Sequence, residues 1–381
     1  MKIWKRNLIV CWLGMFVTSI GMSQIAPVMP LYIKYLGIHD INSIEQLSGI
    51  AFGITFVVSA VFSPIWGEAA DKYGRKLMLL RASFGMSVVI FCMGFSHNVY
   101  ELIVLRMLQG VITGYSTACI TLIATQTERE HVGFALGTLS TASVSGSLIG
   151  PMIGGYLEEV LGLQSVFFVT GTLMMIVFIT TAMFVKENFI PSKKKVLNIK
   201  EAWNEIPNRN LIVIMFATAF ILQLALYSIE PIVTVYVTKL AHSSVHVALV
   251  SGLTFSVSGL ASIIAAPRLG KLSDRIGARK VILMALIAAG IIFIPQAFVK
   301  NPWQLMMLRF VLGLATAGLT PSVNVIVRKI SPEHLIGRIF GFSISAQYLG
   351  TFSGSILGGQ IASRFGIRSV FIVTGGLLLA N

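Results

Sequence analysis

Apolar runs of about 20 residues recur along almost the whole chain and limit what it can fold into, because that length crosses a bilayer as a helix. Only 12% of the 381 residues are charged, about half the share in an ordinary soluble domain. Most of the surface must therefore face lipid. We predict an all-α membrane protein with twelve spans, numbered in chain order: 8–31, 45–66, 77–96, 101–124, 133–157, 165–185, 210–236, 246–267, 281–299, 303–327, 337–360 and 368–381.

The two halves of the sequence are repeats of each other. Residues 64–74 (PIWGEAADKYG) align with 267–277 (PRLGKLSDRIG) at a shift of 203. Residues 165–171 (SVFFVTG) align with 369–375 (SVFIVTG) at a shift of 204. Because each half has an even number of spans, the repeat is parallel and predicts two six-helix halves around a central cavity.

The longest polar connection divides the repeats. It predicts an N-terminal half at 1–185, a cytoplasmic linker at 186–209 and a C-terminal half at 210–381. Span 12 is shorter than its repeat partner, span 6. We therefore expect the last helix to be truncated at Asn381.

The net charge of +14 reflects membrane topology. All but seven of the 29 Lys and Arg residues lie in segments on one side of the membrane, and five lie in loops on the other: Lys34, Lys239, Lys300, Arg364 and Arg368. Basic residues concentrate in cytoplasmic loops. We therefore predict a cytoplasmic N-terminus and a multi-pass protein of the bacterial plasma membrane, whose basic loops attract anionic membrane lipid and not nucleic acid.

A charged motif lies in the short inner loop between spans 2 and 3. We expect Gly67 to permit close helix approach, and Gly74 suits a tight turn with positive φ. Asp71 can pair with a basic residue or a helix N-terminus. The cluster predicts a cytoplasmic gate, and simple anchoring of positive charge is the alternative. The two copies comprise Gly67, Asp71, Gly74, Arg75 and Lys76, and Gly270, Asp274, Arg275 and Gly277.

Span 4 contains Arg106, followed by Gln109 and Gly110, and the repeat places Arg309 at the equivalent position in span 10. A guanidinium within a membrane is costly, which favours a functional role facing the bundle interior. Arg106 could bind an anionic substrate or set the proton affinity of a nearby acid. The alternative is a structural Arg bonded to helix carbonyls.

Span 5 carries the run Gly146, Gly150, Pro151, Gly154 and Gly155. Glycines four residues apart share one helix face and allow tight packing. Proline within the run removes a backbone donor and bends the helix. Packing alone could explain the glycines, but the Gly-Pro pair is more specific.

These motifs resemble those of the major facilitator superfamily, and the span 5 run resembles the antiporter motif of its drug:proton antiporters. The segments WKRNLIV at 4–10, GRKLMLLR at 74–81, LIATQ at 122–126 and ALGTLS at 135–140 resemble the MdtG-type multidrug efflux branch. The resemblance implies export of a small-molecule substrate coupled to inward proton movement by alternating access, with a monomer and no cofactor besides the proton. It also extends to a span 1 pattern: Gly21, Pro27 and Pro30.

One departure concerns the proton. Many drug:proton antiporters have an acid in span 1, where this chain has only Gln24. Glu230 in span 7 is an acid deep within a predicted span, and burial in lipid disfavours the charged form of a carboxyl group. We predict Glu230 as the coupling acid, with Arg106 assisting and Asp71 as the alternative. Glu230 could also be solvated near the outer mouth and uninvolved.

Polar and amphipathic residues in cavity-lining spans are candidate substrate contacts, although they could equally form hydrogen bonds between helices. They are Gln24, Tyr115, Gln223, Tyr227, Asn324, Gln347 and Tyr348. The sequence has no phosphate-binding loop and no convergent catalytic or metal-ligating set, so an enzyme is disfavoured. A transporter of a specific metabolite, sugar or lipid remains an alternative, and a membrane receptor is less favoured.

Overall fold

The structure is a computed structural model that describes residues 2–128, 131–189, 209–241, 246–330 and 336–381. Within these ranges the chain is helical and has no β-strand. All twelve predicted spans are helical, which confirms the predicted fold class. Spans 1 to 6 are Ile3–Ser23 with Ile25–Tyr35, Ile41–Tyr73, Arg75–Met93, Val99–Ile112 with Tyr115–Gln126, Val132–Leu161, and Leu163–Phe184.

The second repeat follows the same pattern. Spans 7 to 12 are Arg209–Ile229 with a 3-10 turn at Glu230–Ile232 and the helix Val233–Leu240, then Val247–Ile276, Ala278–Gln296, Pro302–Thr316 with Leu319–Ile330, Ile336–Phe365, and Ile367–Ala380. Nine spans of the described chain are long and apolar enough to cross a membrane. Of the other three, spans 5 and 11 are rich in Gly, Ser and Thr, and span 12 has 14 residues.

Large apolar side chains cover the outside of the helices. In water such exposure would drive association, whereas in a bilayer lipid tails cover it. Examples from several spans are Leu13, Phe134, Met183, Ile291 and Met307. The exposed apolar surface is therefore what a multi-pass membrane protein requires.

One compact unit comprises residues Met1–His39, Ile54–Lys193 and Val245–Ser256. Its main core is formed by apolar side chains from spans 1, 3, 4, 5 and 6. Span 3 packs closely on span 6, because Gly171 leaves room for the backbone and side chain of Phe91. The unit also includes the first residues of span 8, from the second half of the sequence.

The other unit comprises residues Asp40–Gly53, Lys194–Ser244 and Val257–Asn381. Span 9 packs on span 12 through Gly290 and Gly375, each of which faces the backbone of the other. The unit includes the first residues of span 2, from the first half of the sequence. Residues 190–208, most of the predicted linker, lie outside the described residues, and the predicted domain boundaries stay a prediction.

Candidate functional site

Four spans are interrupted, and the repeat relates them as two pairs: spans 1 and 7, and spans 4 and 10. Span 1 breaks at Gln24 and span 7 at Glu230–Ile232, while spans 4 and 10 break at Thr113–Gly114 and Ala317–Gly318. Gly114 has a φ of +124°, which glycine adopts without a steric penalty. Interrupted helices in membrane transporters mark binding regions, because freed backbone groups can contact substrate and ions. The side chains around these breaks are therefore the first candidates for a functional site.

Glu230 begins the turn that interrupts span 7, directly before Pro231. The carboxyl group of Glu230 interacts electrostatically with Tyr227 and with Arg309, and Tyr227 also interacts with Tyr348. Arg309 is only 6% exposed. The structure therefore gathers one acid, one buried guanidinium and two phenols from spans 7, 10 and 11.

The cluster around Glu230 belongs to the second repeat alone. Arg309 has the counterpart Arg106 in the first repeat, but the counterpart of Glu230 is Ala26. The repeat therefore duplicates the buried Arg without duplicating the acid.

Three other predicted cavity residues meet in the same unit. Gln223, Asn324 and Gln347 line one narrow pocket, which is too small in this structure to hold a water molecule. The Gln223 side-chain amide donates to the side-chain oxygen of Gln347 at 3.4 Å. Nearby, Tyr227 stacks on Phe52 with ring centroids 6.0 Å apart. Amides and aromatic rings in an apolar setting are typical of sites that bind varied small molecules.

Gln24 and Tyr115, the predicted cavity residues of the first repeat, take part in contacts between helices. The Gln24 amide hydrogen-bonds Thr170 and, at 3.5 Å, the Val166 carbonyl oxygen of span 6. Tyr115 is 1% exposed, and its hydroxyl lies 3.2 Å from the Thr181 hydroxyl. Both side chains therefore form hydrogen bonds between spans. This is the alternative to substrate contact that the sequence analysis left open.

Arg106 is buried in span 4, at 1% exposure. Its Nη1 donates to the Gln109 side-chain oxygen at 2.7 Å. The Thr55 hydroxyl donates to the Arg106 carbonyl oxygen at 3.0 Å. Gly110 is required at this crossing, because a Cβ there would lie 2.6 Å from the Thr55 carbonyl oxygen. The motif thus combines a buried cation with a close contact between spans 2 and 4.

Two residues that the sequence did not single out cover the break in span 4. Arg81 Nη2 donates to the carbonyl oxygens of Ile112 at 3.0 Å and Thr113 at 2.9 Å. Trp66 Nε1 donates to the Val111 carbonyl oxygen at 2.6 Å. The Arg81 guanidinium lies 3.6 Å from the Trp66 ring centroid, a cation–π contact. Together they satisfy carbonyl groups that the break leaves without helical partners.

Three glycines of span 5 share one face and lie against span 1: Gly146, Gly150 and Gly154. A Cβ on Gly146 would lie 2.6 Å from the Phe16 carbonyl oxygen, and one on Gly154 would lie 2.7 Å from Gln24 Cβ. Gly150 lies against Ile20 and Ser23. A larger residue on this face would push the two helices apart.

Span 11 carries a second copy of this face, which the sequence analysis missed. Gly350, Gly354 and Gly358 lie against the span 7 residues Phe220, Leu224 and Ser228. They follow Gly146, Gly150 and Gly154 at the repeat shift of 204, which could have revealed them. In each repeat, therefore, glycines allow two helices to pack closely: spans 1 and 5 in the first repeat, and spans 7 and 11 in the second.

Both inner loops turn at glycine. Gly74 has a φ of +92° and Gly277 a φ of +93°, so each position requires the left-handed conformation. The backbones of Asp71 and Asp274 end spans 2 and 8, but their side chains lie outside the described part of the structure. The predicted role of Asp71 is therefore carried forward as a proposal.

A carboxylate from beyond span 6 occupies the first loop. Glu187 accepts the backbone N–H groups of Arg75 at 3.0 Å and Lys76 at 2.8 Å, the first turn of span 3. A helix N-terminus favours such a negative charge. Asn7 and Lys186 also exchange two hydrogen bonds, at 2.7 and 3.1 Å. The start of the linker is therefore fixed to spans 1 and 3.

The close helix approach predicted for Gly67 is not seen among the described residues of this structure and stays a prediction. A Cβ placed on Gly67 would meet no described atom within 4 Å, and the same holds for its counterpart Gly270. The exposed inner end of span 2 explains the difference, because Ile65 and Tyr73 are also exposed there.

Twelve spans in two parallel repeats, with interruptions in repeat-related spans, define a secondary transporter. The model of the Major Facilitator Superfamily matches residues 11–253 and 231–381. The chain belongs to this superfamily and is a multi-pass membrane transporter, not an enzyme.

Among its relatives is the multidrug resistance protein MdtG of Salmonella paratyphi B, which is 44% identical over 379 residues. The alignment covers 99% of this chain and 94% of that protein. The protein of the same name from Salmonella typhimurium matches at the same identity and coverage.

Solved transporters share the fold at low sequence identity. A bacterial homologue of the human lysosomal transporter Spinster has a TM-score of 0.83 and 13% identity, covering 100% of this chain and 96% of that one. The nucleoside transporter NupG has a TM-score of 0.81 and 14% identity, covering 100% of this chain and 97% of that one. At these identities the likeness concerns the fold alone.

Proposed function

We propose that this transporter exports small hydrophobic or amphiphilic drug-like compounds from the cytoplasm and couples their export to inward proton movement. The single observation that carries the proposal is the full-length relationship to multidrug resistance proteins at 44% identity. The distribution of basic residues supports a plasma-membrane protein with a cytoplasmic N-terminus. Each chain contains both repeats, so a monomer supplies a complete transport pathway.

The coupling residue in this proposal is Glu230. It lies where span 7 is interrupted and has Arg309 within electrostatic reach. A carboxylate beside a guanidinium is stabilised as an ion pair, and any motion that separates them favours protonation. Alternating access therefore changes how tightly Glu230 holds its proton. Arg106, and Asp71 at the inner gate, complete the proposed proton-linked set.

The substrate region in this proposal lies beside Glu230. Tyr227 and Tyr348 interact with each other in the Glu230 cluster, and Gln223, Asn324 and Gln347 line the neighbouring pocket. Aromatic rings accept varied apolar and cationic compounds, while amide groups supply a few adaptable hydrogen bonds. Such a surface suits a transporter of many compounds better than a site for one anion.

The substrate class is tested in inside-out membrane vesicles energised to be acidic inside. We expect ethidium and tetraphenylphosphonium to cause proton release, because their entry into the vesicle is exchanged for protons. Glucose and citrate should cause none. Vesicles without the protein provide the baseline.

Two results would contradict the proposal. Proton release with glucose or citrate and none with the cations would indicate a transporter of a specific metabolite. Cation accumulation that persists after a protonophore collapses the proton gradient would show that transport is not coupled to protons.

A further inference from the structure

The outer end of span 2 packs against span 11 at very short range. Gly49 lies against the Ser355 carbonyl oxygen, and a Cβ on Gly359 would lie 2.5 Å from the Glu45 carbonyl oxygen. The Gln46 amide donates to the Ser363 hydroxyl at 2.9 Å. This contact joins a helix of the first sequence repeat to a helix of the second.

The repeat-related contact has the same form. Gly252 of span 8 lies against the Pro151 carbonyl oxygen of span 5, and a Cβ on Gly155 would lie 2.5 Å from the Ala248 carbonyl oxygen. Beside this contact, His246 pairs with Glu159. Both outer contacts therefore combine backbone packing at glycine with a pair of ionisable side chains.

The pair beside span 11 is the more unusual one, because its acid is fully buried. The side chain of Glu45 is 1% exposed, whereas that of Lys239, at the end of span 7, is 44% exposed. Lys239 Nζ lies 3.2 Å from Glu45 Oε1. Glu45 Oε2 is buried and has no hydrogen-bond partner among the described residues. The charge on Glu45 therefore depends on one ammonium group for its compensation.

A buried carboxylate with one partner is stable only while that partner stays in place. Packing of span 2 on span 11 removes Glu45 from water and places it beside Lys239. If span 2 moves away from span 11, both charges return to water and the attraction becomes small. The ion pair is therefore strong only when this outer contact is formed.

We propose that Glu45 and Lys239 form an outer latch, defined as this ion pair, which holds span 2 on span 11 and must break each time the transporter opens to the outside. Neither residue touches substrate in this proposal. They are positioning residues that set the ratio of open to closed outer contacts. The inference does not depend on the substrate or on the coupling ion.

The latch predicts unequal effects of removing its two charges. Lys239→Gln leaves a buried carboxylate without compensation when the contact is closed, so the open-to-closed ratio should rise more than about tenfold. Glu45→Gln leaves only a half-exposed ammonium, which water solvates, so the rise should be below about threefold. In the Glu45→Gln background, adding Lys239→Gln should change little, because no buried charge remains.

The test measures the distance between spin labels at the two outer helix ends. The labels are attached to Ile41→Cys and Phe365→Cys, because both positions are exposed. The protein also carries Cys92→Ser, because Cys92 is an exposed native thiol that would otherwise take up label. We expect Lys239→Gln to add a population at longer distance and Lys239→Arg to restore the wild-type distribution. Lys300→Gln is the matched control, because it makes the same Lys-to-Gln change at an exposed position of the same unit, where Lys300 forms no ion pair with the described residues.

Three outcomes would overturn the latch: Lys239→Gln with the wild-type distribution, a full Lys239→Gln effect that persists without Glu45, or a Lys300→Gln variant that opens equally. If Glu45 and Lys239 had a merely structural role, substituting them would lower the melting temperature without changing the distances between the labels. All labelled variants are therefore compared as monodisperse protein.

Discussion

Glu230→Gln should abolish substrate-induced proton release from inside-out vesicles, lowering it at least about tenfold, while the protein still binds ethidium. Glutamine keeps the shape of the side chain but cannot carry the proton. Removing the carboxylate also leaves Arg309 without the acid that now lies within its electrostatic reach. The measurement is dye-reported proton release after ethidium addition, together with ethidium affinity of the purified variant.

Two further variants make this result specific. Glu230→Asp keeps an ionisable group and should retain part of the release. Glu101→Gln should match wild type, because Glu101 is an exposed acid at the outer start of span 4. Proton release at the wild-type level by Glu230→Gln would show that another acid carries the proton, and Asp71 is the next candidate. Loss of ethidium binding in Glu230→Gln would instead place Glu230 in substrate recognition.

Valine in place of Gly150 or Gly354 should eliminate transport and lower the melting temperature by several degrees. A side chain at either position meets backbone, at Ile20 of span 1 or Leu224 of span 7, and overpacking of this kind costs about 1–3 kcal/mol or more. Because the two positions are related by the repeat, we expect effects of similar size. Transport in vesicles and thermal unfolding in detergent measure both consequences.

The same two helices contain matched controls for this prediction. Gly137 in span 5 and Gly341 in span 11 are also related by the repeat, and a Cβ on either meets no described atom within 4 Å. Gly137→Val and Gly341→Val should therefore keep the wild-type melting temperature. Equal destabilisation by all four valines would contradict this account, because packing on spans 1 and 7 would then not explain the effect.

The spans and the repeat could be predicted because each rests on a regularity along the chain. Hydropathy located all twelve spans, and the shift of 203 to 204 residues aligned the inner loops, the buried Arg residues and the last span of each half. The same shift relates Gly350, Gly354 and Gly358 to the span 5 motif. That copy was missed because it has Ser355 where the first repeat has Pro151.

The side-chain partners could not be predicted, because they depend on which helix faces approach each other. Hydropathy places Gln24 and Tyr115 in spans without showing that they bond Thr170 and Thr181 across to span 6. Glu45 stands at the edge of a predicted span, where an acid is ordinarily solvated. Its burial follows from the packing of span 2 on span 11, which involves residues more than 300 positions apart.

The helix interruptions could be predicted less well than the spans but better than the side-chain partners. Pro231 and Gly114 are visible in the sequence as residues that break helices. The break at Ala317–Gly318 has a glycine but no proline, and span 1 breaks at Gln24 although its prolines lie further along, at Pro27 and Pro30. Sequence therefore indicates that a span can break, while the packed neighbours decide where.

The central claim is that drug export is driven by the proton gradient through this protein alone. It is tested most directly with purified protein in liposomes under an imposed pH gradient, with ethidium as substrate and no other energy source. We predict that ethidium moves into the acidic compartment, that reversing the gradient reverses the movement, and that Glu230→Gln removes the dependence on the gradient. Ethidium transport of equal rate and direction under both gradients would contradict proton-coupled export.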